Sequence, residues 1–386
     1  MESLQPEAAL LEAGPIRLQT PSRPAARSGP SAGTSGLRTY TVSVRILGEA
    51  TVCCPLANRG SPVTLTDEGL AKVQGMASRW VRLPGGVKAH YTTSGDDGPA
   101  VVLLHGGIIG SSGTAGWQFM APFLAEHGFR VYCPDSPAFG LTEDPQNFYI
   151  RGLAGHVDFL HDFTTALGLD RFHLGGNSMG CNNSVNYVVA HPERVISYAL
   201  IAGGIGDLVT NEEDMAIRKR VNHVFPKINI FDGSKESMQK MLETIVYKVE
   251  AISDDLLEMR TLAANKHREE YAEHFAKIVA GPSNGEIVKM TTKGRLDKLA
   301  IPAIYLYGRQ DVLLPVELGY LQEERCPNIQ FFFPDECGHQ GQTDQPDMFN
   351  QVFMEFFRDG QVSRKTADWA GVSPNRPEIQ EYVAVS

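Results

Sequence analysis

The chain has 386 residues, 42% of them hydrophobic and 21% charged, enough for one large or two ordinary domains with a sizeable core. A net charge of −10 gives little support to nucleic-acid binding, and no apolar run approaches the roughly 18 residues that a membrane span needs. Six cysteines without a C-x-x-C pair fit reduced thiols in the cytoplasm better than a disulfide framework.

Residues 1–62 carry six arginines, four glutamates, no lysine and no aspartate, with many Pro, Gly and Ser residues and no sustained period. They read as a disordered N-terminal extension. Glu2, Glu7 and Glu12 argue against a mitochondrial presequence, because such peptides avoid acids. From Val63 the punctuation becomes regular. Trp80–Leu83 and Val87–Tyr91 flank Pro84-Gly85-Gly86 and predict a hairpin. Ala100–Leu104 is an unbroken apolar run and predicts a buried parallel strand ending at His105-Gly106-Gly107. A helix follows with Trp117, Met120, Phe123 and Leu124 on one face, closed by Gly128. Arg130–Cys133 predicts a strand, and Leu153, Val157, Leu160 and Leu167 predict a helix. Phe172–Leu174 predicts a strand that leads into Gly175-Gly176-Asn177-Ser178-Met179-Gly180 and a helix carrying Val185, Val188 and Val189. Val195–Ile201 is the next strand.

This alternation predicts a mostly parallel α/β sheet covered on both faces over residues 63–207. It stops after Gly206. Residues 208–292 carry mainly helical signals: a capping box at Thr210 and Glu213, and a second helix start at Ser253 followed by Asp254 and Asp255. Alternation then resumes over residues 293–360, with strands at Ala303–Tyr307 and Ile329–Phe333 and helices at Pro315–Glu324 and Pro346–Phe357. A helical block between two strands of such a sheet is most simply a lid, or cap, over the sheet edge. Residues 361–386 read as a polar C-terminal tail.

Gly176-x-Ser178-x-Gly180 lies between a strand and a helix, the setting a nucleophile elbow requires. The pattern alone is weak, and Gly281-Pro282-Ser283-Asn284-Gly285 also matches it. Ser283, however, follows a helical stretch, and Pro282 would spoil the turn, so it reads as a helix-terminating loop. Order strengthens Ser178. Asp311 lies just past the strand Ala303–Tyr307, and His339 just past Ile329–Phe333, so both hang from carboxyl ends of parallel strands where ligands bind in open α/β sheets. His339 is expected to take the serine proton and Asp311 to hold its ring. The oxyanion hole is expected from the backbone N–H of Met179 and one from Gly107 or Ile108, with His105 a structural part of that loop. No H-E-x-x-H, Walker loop or strand-linked G-x-G-x-x-G occurs, so neither a metal nor a cofactor is expected.

These residues resemble the α/β-hydrolase superfamily over about residues 63–360. Within it, Leu-Leu-His-Gly-Gly at 103–107, Asp135-Ser136-Pro137-x-Phe139-Gly140, Gly176-Asn177-Ser178-Met179-Gly180, His191-Pro192-Glu193-Arg194-Val195 and Cys337-Gly338-His339 look most like the meta-cleavage-product hydrolases. The resemblance implies an α/β-hydrolase fold with a helical cap, and hydrolysis of a carbon–carbon bond in vinylogous 1,5-diketone acids from aromatic catabolism. An ester or lactone hydrolase acting through an acyl-serine uses the same triad, and a non-catalytic ligand-binding protein can share the fold. Arg260 in Leu257-Glu258-Met259-Arg260 looks placed to hold a substrate carboxylate, against a solvated helix arginine as the alternative, and Asn177 is expected near substrate. Three departures set the chain apart from that subgroup: Ile-Ile-Gly-Ser-Ser-Gly after Gly107, Phe119 near the place of a substrate-polarising Asn, and Gln340 where Trp is usual. The partner expected is a small-molecule substrate, with no nucleic acid and no membrane, and a homo-oligomer is left open.

Overall fold

Five apolar residues in a row, as in Ala100–Leu104, are stable as a strand only when both faces are covered. The computed structural model, which describes residues 72–149, 153–205, 230–273, 292 and 294–378, builds the chain around that run. In chain order the strands are β1 (Ala77–Arg82), β2 (Lys88–Ser94), β3 (Ala100–Leu104), β4 (Arg130–Pro134), β5 (Phe172–Asn177), β6 (Val195–Ile201), β7 (Ala303–Leu306) and β8 (Gln330–Phe332). The helices are α1 (Gly113–Trp117), α2 (Met120–Glu126), α3 (Leu153–Ala166), α4 (Met179–Ala190), α5 (Lys235–Ile245), α6 (Asp254–Lys266), α7 (Val316–Arg325), α8 (Gly341–Asp344), α9 (Pro346–Asp359) and α10 (Arg364–Trp369).

The strands form one sheet in the order β1-β2-β4-β3-β5-β6-β7-β8. The β1–β2 hairpin and the β2–β4 pair are antiparallel, and the remaining pairs are parallel. Side chains alternate across the sheet, so each parallel strand feeds two layers. Val102, Leu104, Leu174, Leu200 and Tyr305 join Val185 and Val188 of α4 in one cluster. Val101, Leu103, Ile201, Ile304 and Phe332 join Leu124 of α2 and Phe349, Val352 and Phe353 of α9 in the other. From β3 the chain runs to β4 on one side, and β5 lies on the other. The crevice at such a reversal, above the carboxyl ends of the strands, is where ligands bind in open sheets.

Two differences from the sequence reading have physical causes. The single helix expected over Trp117–Leu124 is two, α1 and α2, broken at Gln118 and Phe119. Pro122 has no N–H to donate to the Gln118 carbonyl, so the helix restarts where Pro122 falls in its first turn. The polar tail is also part of the sheet layer as far as the described residues reach. Val362, Ala367 and Ala370 are buried in the α9 cluster, Phe333 N–H donates to Gly371 O at 2.7 Å, and Ser373 N–H donates to Phe331 O at 3.0 Å. Between β6 and β7 the described residues include the helices α5 and α6. Ser253 caps α6 by accepting from Leu256 N–H, with Asp254 and Asp255 in the first turn. The Thr210–Glu213 capping box, Ser283 and residues 1–62 lie outside the described residues. Among the described residues no helix is long and apolar enough to cross a membrane, and Cys133, Cys181, Cys326 and Cys337 are free and buried.

Candidate active site

The first residue past β5 is Ser178, which begins α4 with φ 55° and ψ −113°. A non-glycine residue held there costs roughly 1–3 kcal/mol and persists only where its surroundings over-determine it. Here they do. Ser178 N–H donates to Ile201 O of the neighbouring strand at 2.9 Å. A Cβ on Gly176 would strike the Gly180 carbonyl, and one on Gly180 would strike the Leu104 carbonyl, so strand and helix close on each other only with glycine at both positions.

The turn lifts Ser178 Oγ to 2.8 Å from His339 Nε2, and His339 Nδ1 lies 2.8 Å from Asp311 Oδ2. His339 and Asp311 are buried. The other carboxylate oxygen, Oδ1, accepts from Leu313 N–H at 2.8 Å and Leu314 N–H at 2.9 Å, which fixes the carboxylate plane. A carboxylate on Nδ1 favours the tautomer with the proton there, leaving Nε2 free to accept from Ser178. The three residues expected from their order along the chain are thus brought together.

Asn177, expected near substrate, has its buried amide nitrogen on backbone carbonyls, donating to His339 O at 3.1 Å and Ile201 O at 3.4 Å. It ties the elbow to the histidine loop. On the opposite side Gly107 faces Met179: a Cβ on Gly107 would lie 2.9 Å from Met179 Cβ, so the two segments expected to supply oxyanion donors lie against each other. Ile108 is buried, and its carbonyl accepts from Ser111 N–H at 3.0 Å, closing the turn after Gly107. His105 serves as a brace. Its Nδ1 donates to Gly106 O at 2.7 Å and its Nε2 accepts from Ser136 N–H at 2.9 Å, while burial holds its pKa below the usual imidazole range.

A second polar chain, not legible from spacing, pins the same loop. Asp135 Oδ2 lies 2.7 Å from His90 Nδ1 and accepts from Leu141 N–H at 2.8 Å, Oδ1 accepts from Gly113 N–H at 2.7 Å, and His90 Nε2 lies 2.7 Å from Ser78 Oγ. Burial would raise the Asp135 carboxyl, but the adjacent His90 and the Leu141 amide outweigh it and hold the pKa below its ordinary value of 3.8. A carboxyl depressed in the fold stabilises it at pH values above 3.8, and that contribution is lost as pH falls through the folded value. Asp135→Ala is expected to cost about 3–5 kcal/mol at neutral pH, because it strands a buried partner. Urea unfolding at pH 7 and at progressively lower pH checks this. The gap between variant and wild type should narrow in acid, and a gap that does not change with pH would refute the assignment.

Arg260 extends from α6 to the rim of this constellation. It is buried, with Nη1 3.2 Å from Ser111 Oγ and Nη2 3.0 Å from Gln340 Oε1, and among the described residues its Nε has no partner. Among the described residues no carboxylate pairs with it, and burial pushes its pKa down to about 10. Gln340, where a tryptophan was the usual residue, therefore receives the guanidinium. Phe119 takes no part. Its side chain is 40% exposed at the α1–α2 break, and its carbonyl accepts from Asn350.

The chain is similar in sequence and in fold to known hydrolases. The chain is 29% identical over 284 residues to a 2-hydroxy-6-oxononadienedioate/2-hydroxy-6-oxononatrienedioate hydrolase of Burkholderia vietnamiensis, covering 70% of this chain and 91% of the relative. It is 28% identical over 275 residues to a 2-hydroxy-6-oxo-6-phenylhexa-2,4-dienoate hydrolase of Burkholderia cepacia, covering 71% and 92%. Among solved structures it superposes on a meta-cleavage product hydrolase from Pseudomonas fluorescens with a TM-score of 0.60 and 25% identity, covering 73% of this chain and 98% of that one. The family model for the alpha/beta hydrolase fold matches residues 99–346, well over half of the sequence, and the chain belongs to that family.

Proposed function

We propose that this chain is a serine-type hydrolase that uses Ser178, His339 and Asp311 to cleave, with water, a carbon–carbon bond of a vinylogous 1,5-diketone acid from aromatic catabolism. The observation that carries the substrate class is Arg260. A buried guanidinium with no carboxylate partner among the described residues, bonded to the residue that follows His339, suits an anion beside the nucleophile. The relatives' names describe dienoate and dienedioate substrates, which carry such an anion.

In this reading Arg260 holds the carboxylate and His339 moves the dienol proton to the chain carbon, giving the keto form. Water or Ser178 Oγ then attacks the distal carbonyl, His339 takes the nucleophile's proton, and the N–H groups of Met179 and of Gly107 or Ile108 receive the developing oxyanion. The carbon–carbon bond breaks with its electron pair delocalised into the conjugated ketone, and protonation completes the leaving fragment. A serine attack leaves an acyl-enzyme that a second water hydrolyses. The insertion between β6 and β7, taken as residues 208–292, acts as the cap, and the substrate is a small molecule. A cytoplasmic setting suits the free cysteines.

Ester or lactone hydrolysis is the second reading, favoured by the direct Ser178–His339 hydrogen bond and by Gln340 in the place of tryptophan. The test compares kcat/KM for coloured 2-hydroxy-6-oxo-6-phenylhexa-2,4-dienoate and a neutral aryl ester. Arg260→Ala is expected to lower kcat/KM for the dienoate about 10²-fold, the worth of one to two charge-assisted hydrogen bonds, and to leave the neutral ester within a few-fold. Equal losses on both, or none on the dienoate, would discard the carboxylate role.

A further inference from the structure

His339 is held from behind as well as in front. Its backbone N–H donates to Ile245 O at 3.0 Å, at the last residue of α5 in the insertion. Three positions on, the same segment meets Asp344 of α8. Lys248 N–H donates to Asp344 Oδ1 at 2.8 Å, and Gly338 N–H, one residue before His339, donates to Asp344 Oδ2 at 2.8 Å. Asp344 is buried, so its two oxygens are spent on two separate stretches of backbone. The approach is close enough to exclude a side chain: a Cβ on Gly338 would lie 2.9 Å from Ile245 O, 3.0 Å from Tyr247 N and 3.3 Å from Asp344 Oδ2. Outside the clasp, Lys248 Nζ lies 3.2 Å from Glu336 Oε2. This pair is solvent-exposed enough to contribute little.

We infer that Asp344 is a positioning residue: by clasping the 245–248 strap of the insertion to the loop that carries His339, it holds the imidazole at bonding distance from Ser178. The order of the triad does not demand this link. It follows from one carboxylate accepting from both strap and loop, while the histidine's own amide donates to the same strap. The inference rests on the reading of His339 as the base of Ser178. Its consequence is that the insertion does more than cover substrate, since the seating of residues 245–248 sets the base. Without the carboxylate the Gly338 and Lys248 amides lose their acceptor, and the loop shifts. Displacements of about 1 Å at a reacting group cost about 10²-fold in rate.

The test uses the full chain and three variants. Asp344→Asn keeps the shape but turns an N–H₂ group toward one of the two amides. Asp344→Glu restores a carboxylate. Lys248→Pro removes one donor from the strap side without altering any buried side chain, and it moves the residue's φ of −94° toward the roughly −65° of proline, which displaces the strap itself. The first readout is the second-order rate of inactivation by a fluorophosphonate, which reports Ser178 activation without needing the natural substrate. The second is the far-downfield proton resonance of His339 Nδ1–H in its bond to Asp311.

Asp344→Asn is expected to slow inactivation about 10²-fold and to shift or broaden the downfield proton, with a lowered urea midpoint because one buried amide then faces a donor. Asp344→Glu should recover most of the rate, and Lys248→Pro should change both readouts in the same direction as Asp344→Asn. If Asp344→Asn does not fold, Lys248→Pro decides alone. Wild-type inactivation rate and an unmoved proton in either folded amide-breaking variant overturn the clasp. Persistence of labelling in Ser178→Ala overturns the triad reading instead, and the two failures are separately visible.

Discussion

Replacing Ser178 by alanine is expected to reduce kcat about 10⁶-fold and to abolish labelling by serine-directed phosphonates, with the fold retained. The argument is geometric. Among the described residues Ser178 Oγ is the hydroxyl bonded to His339, and the imidazole has no other proton to accept from at that nitrogen. A Ser178→Gly variant separates chemistry from strain. Glycine adopts φ 55° freely, so this variant should melt above Ser178→Ala, although greater freedom in the unfolded chain returns part of that gain. An inactive glycine variant that is the more stable of the two would show a backbone strained for function. A Ser178→Ala protein that keeps substantial turnover would send the search for the nucleophile elsewhere.

Legibility differed between strands and side-chain networks for a physical reason. A parallel strand buried on both faces is apolar at nearly every position, so Ala100–Leu104, and Val195–Ile201 despite the hydroxyls of Ser197 and Tyr198, could be read to the residue. Ser178, Asp311 and His339 were legible because each follows such a strand, and the fold brings carboxyl ends of parallel strands together. The hydrogen bond between Ser178 and His339 spans 161 positions but needs only two local readings. In the Ser78–His90–Asp135 chain only Asp135 carried that marker, following β4, and nothing pointed to its partners. His90 sits in a half-apolar hairpin strand where a buried polar residue looks like an ordinary member of the alternation. The strap from Ile245 to Lys248 was equally silent, since its bonds to His339 and Asp344 use backbone groups that every residue carries. Arg260 lay between these cases. Its sequence neighbourhood suggested a role, but only its burial and its bonds to Ser111 and Gln340 distinguish it from a solvated helix arginine.

Those networks share a direction. The elbow is fixed by sheet and glycine, the loop after His105 by His105 and Asp135, and the histidine loop by Asn177, Ile245 and Asp344. Each reacting group is braced by a different part of the chain. Substitutions in these braces should therefore lower turnover more than binding, while Arg260 should do the reverse for a carboxylate-bearing substrate.

Asp311→Asn is expected to lower kcat about 10⁴-fold with little change in KM, through the wrong histidine tautomer. The surroundings dictate this outcome. Asp311 Oδ1 accepts from the amides of Leu313 and Leu314, so an asparagine must place its carbonyl oxygen there and its N–H₂ group toward His339. Nδ1 then has to accept, the ring proton moves to Nε2, and Nε2 points a donor at Ser178 Oγ where an acceptor is needed. Turning the amide around would restore the tautomer only by aiming two N–H donors at a third. The downfield proton of Nδ1–H should vanish in this variant while the urea midpoint moves little, because the side chain keeps its volume and its hydrogen-bond count. Retention of both the resonance and a kcat within tenfold of wild type would show that His339 is oriented by its loop alone, and Asp311 would lose its place in the relay.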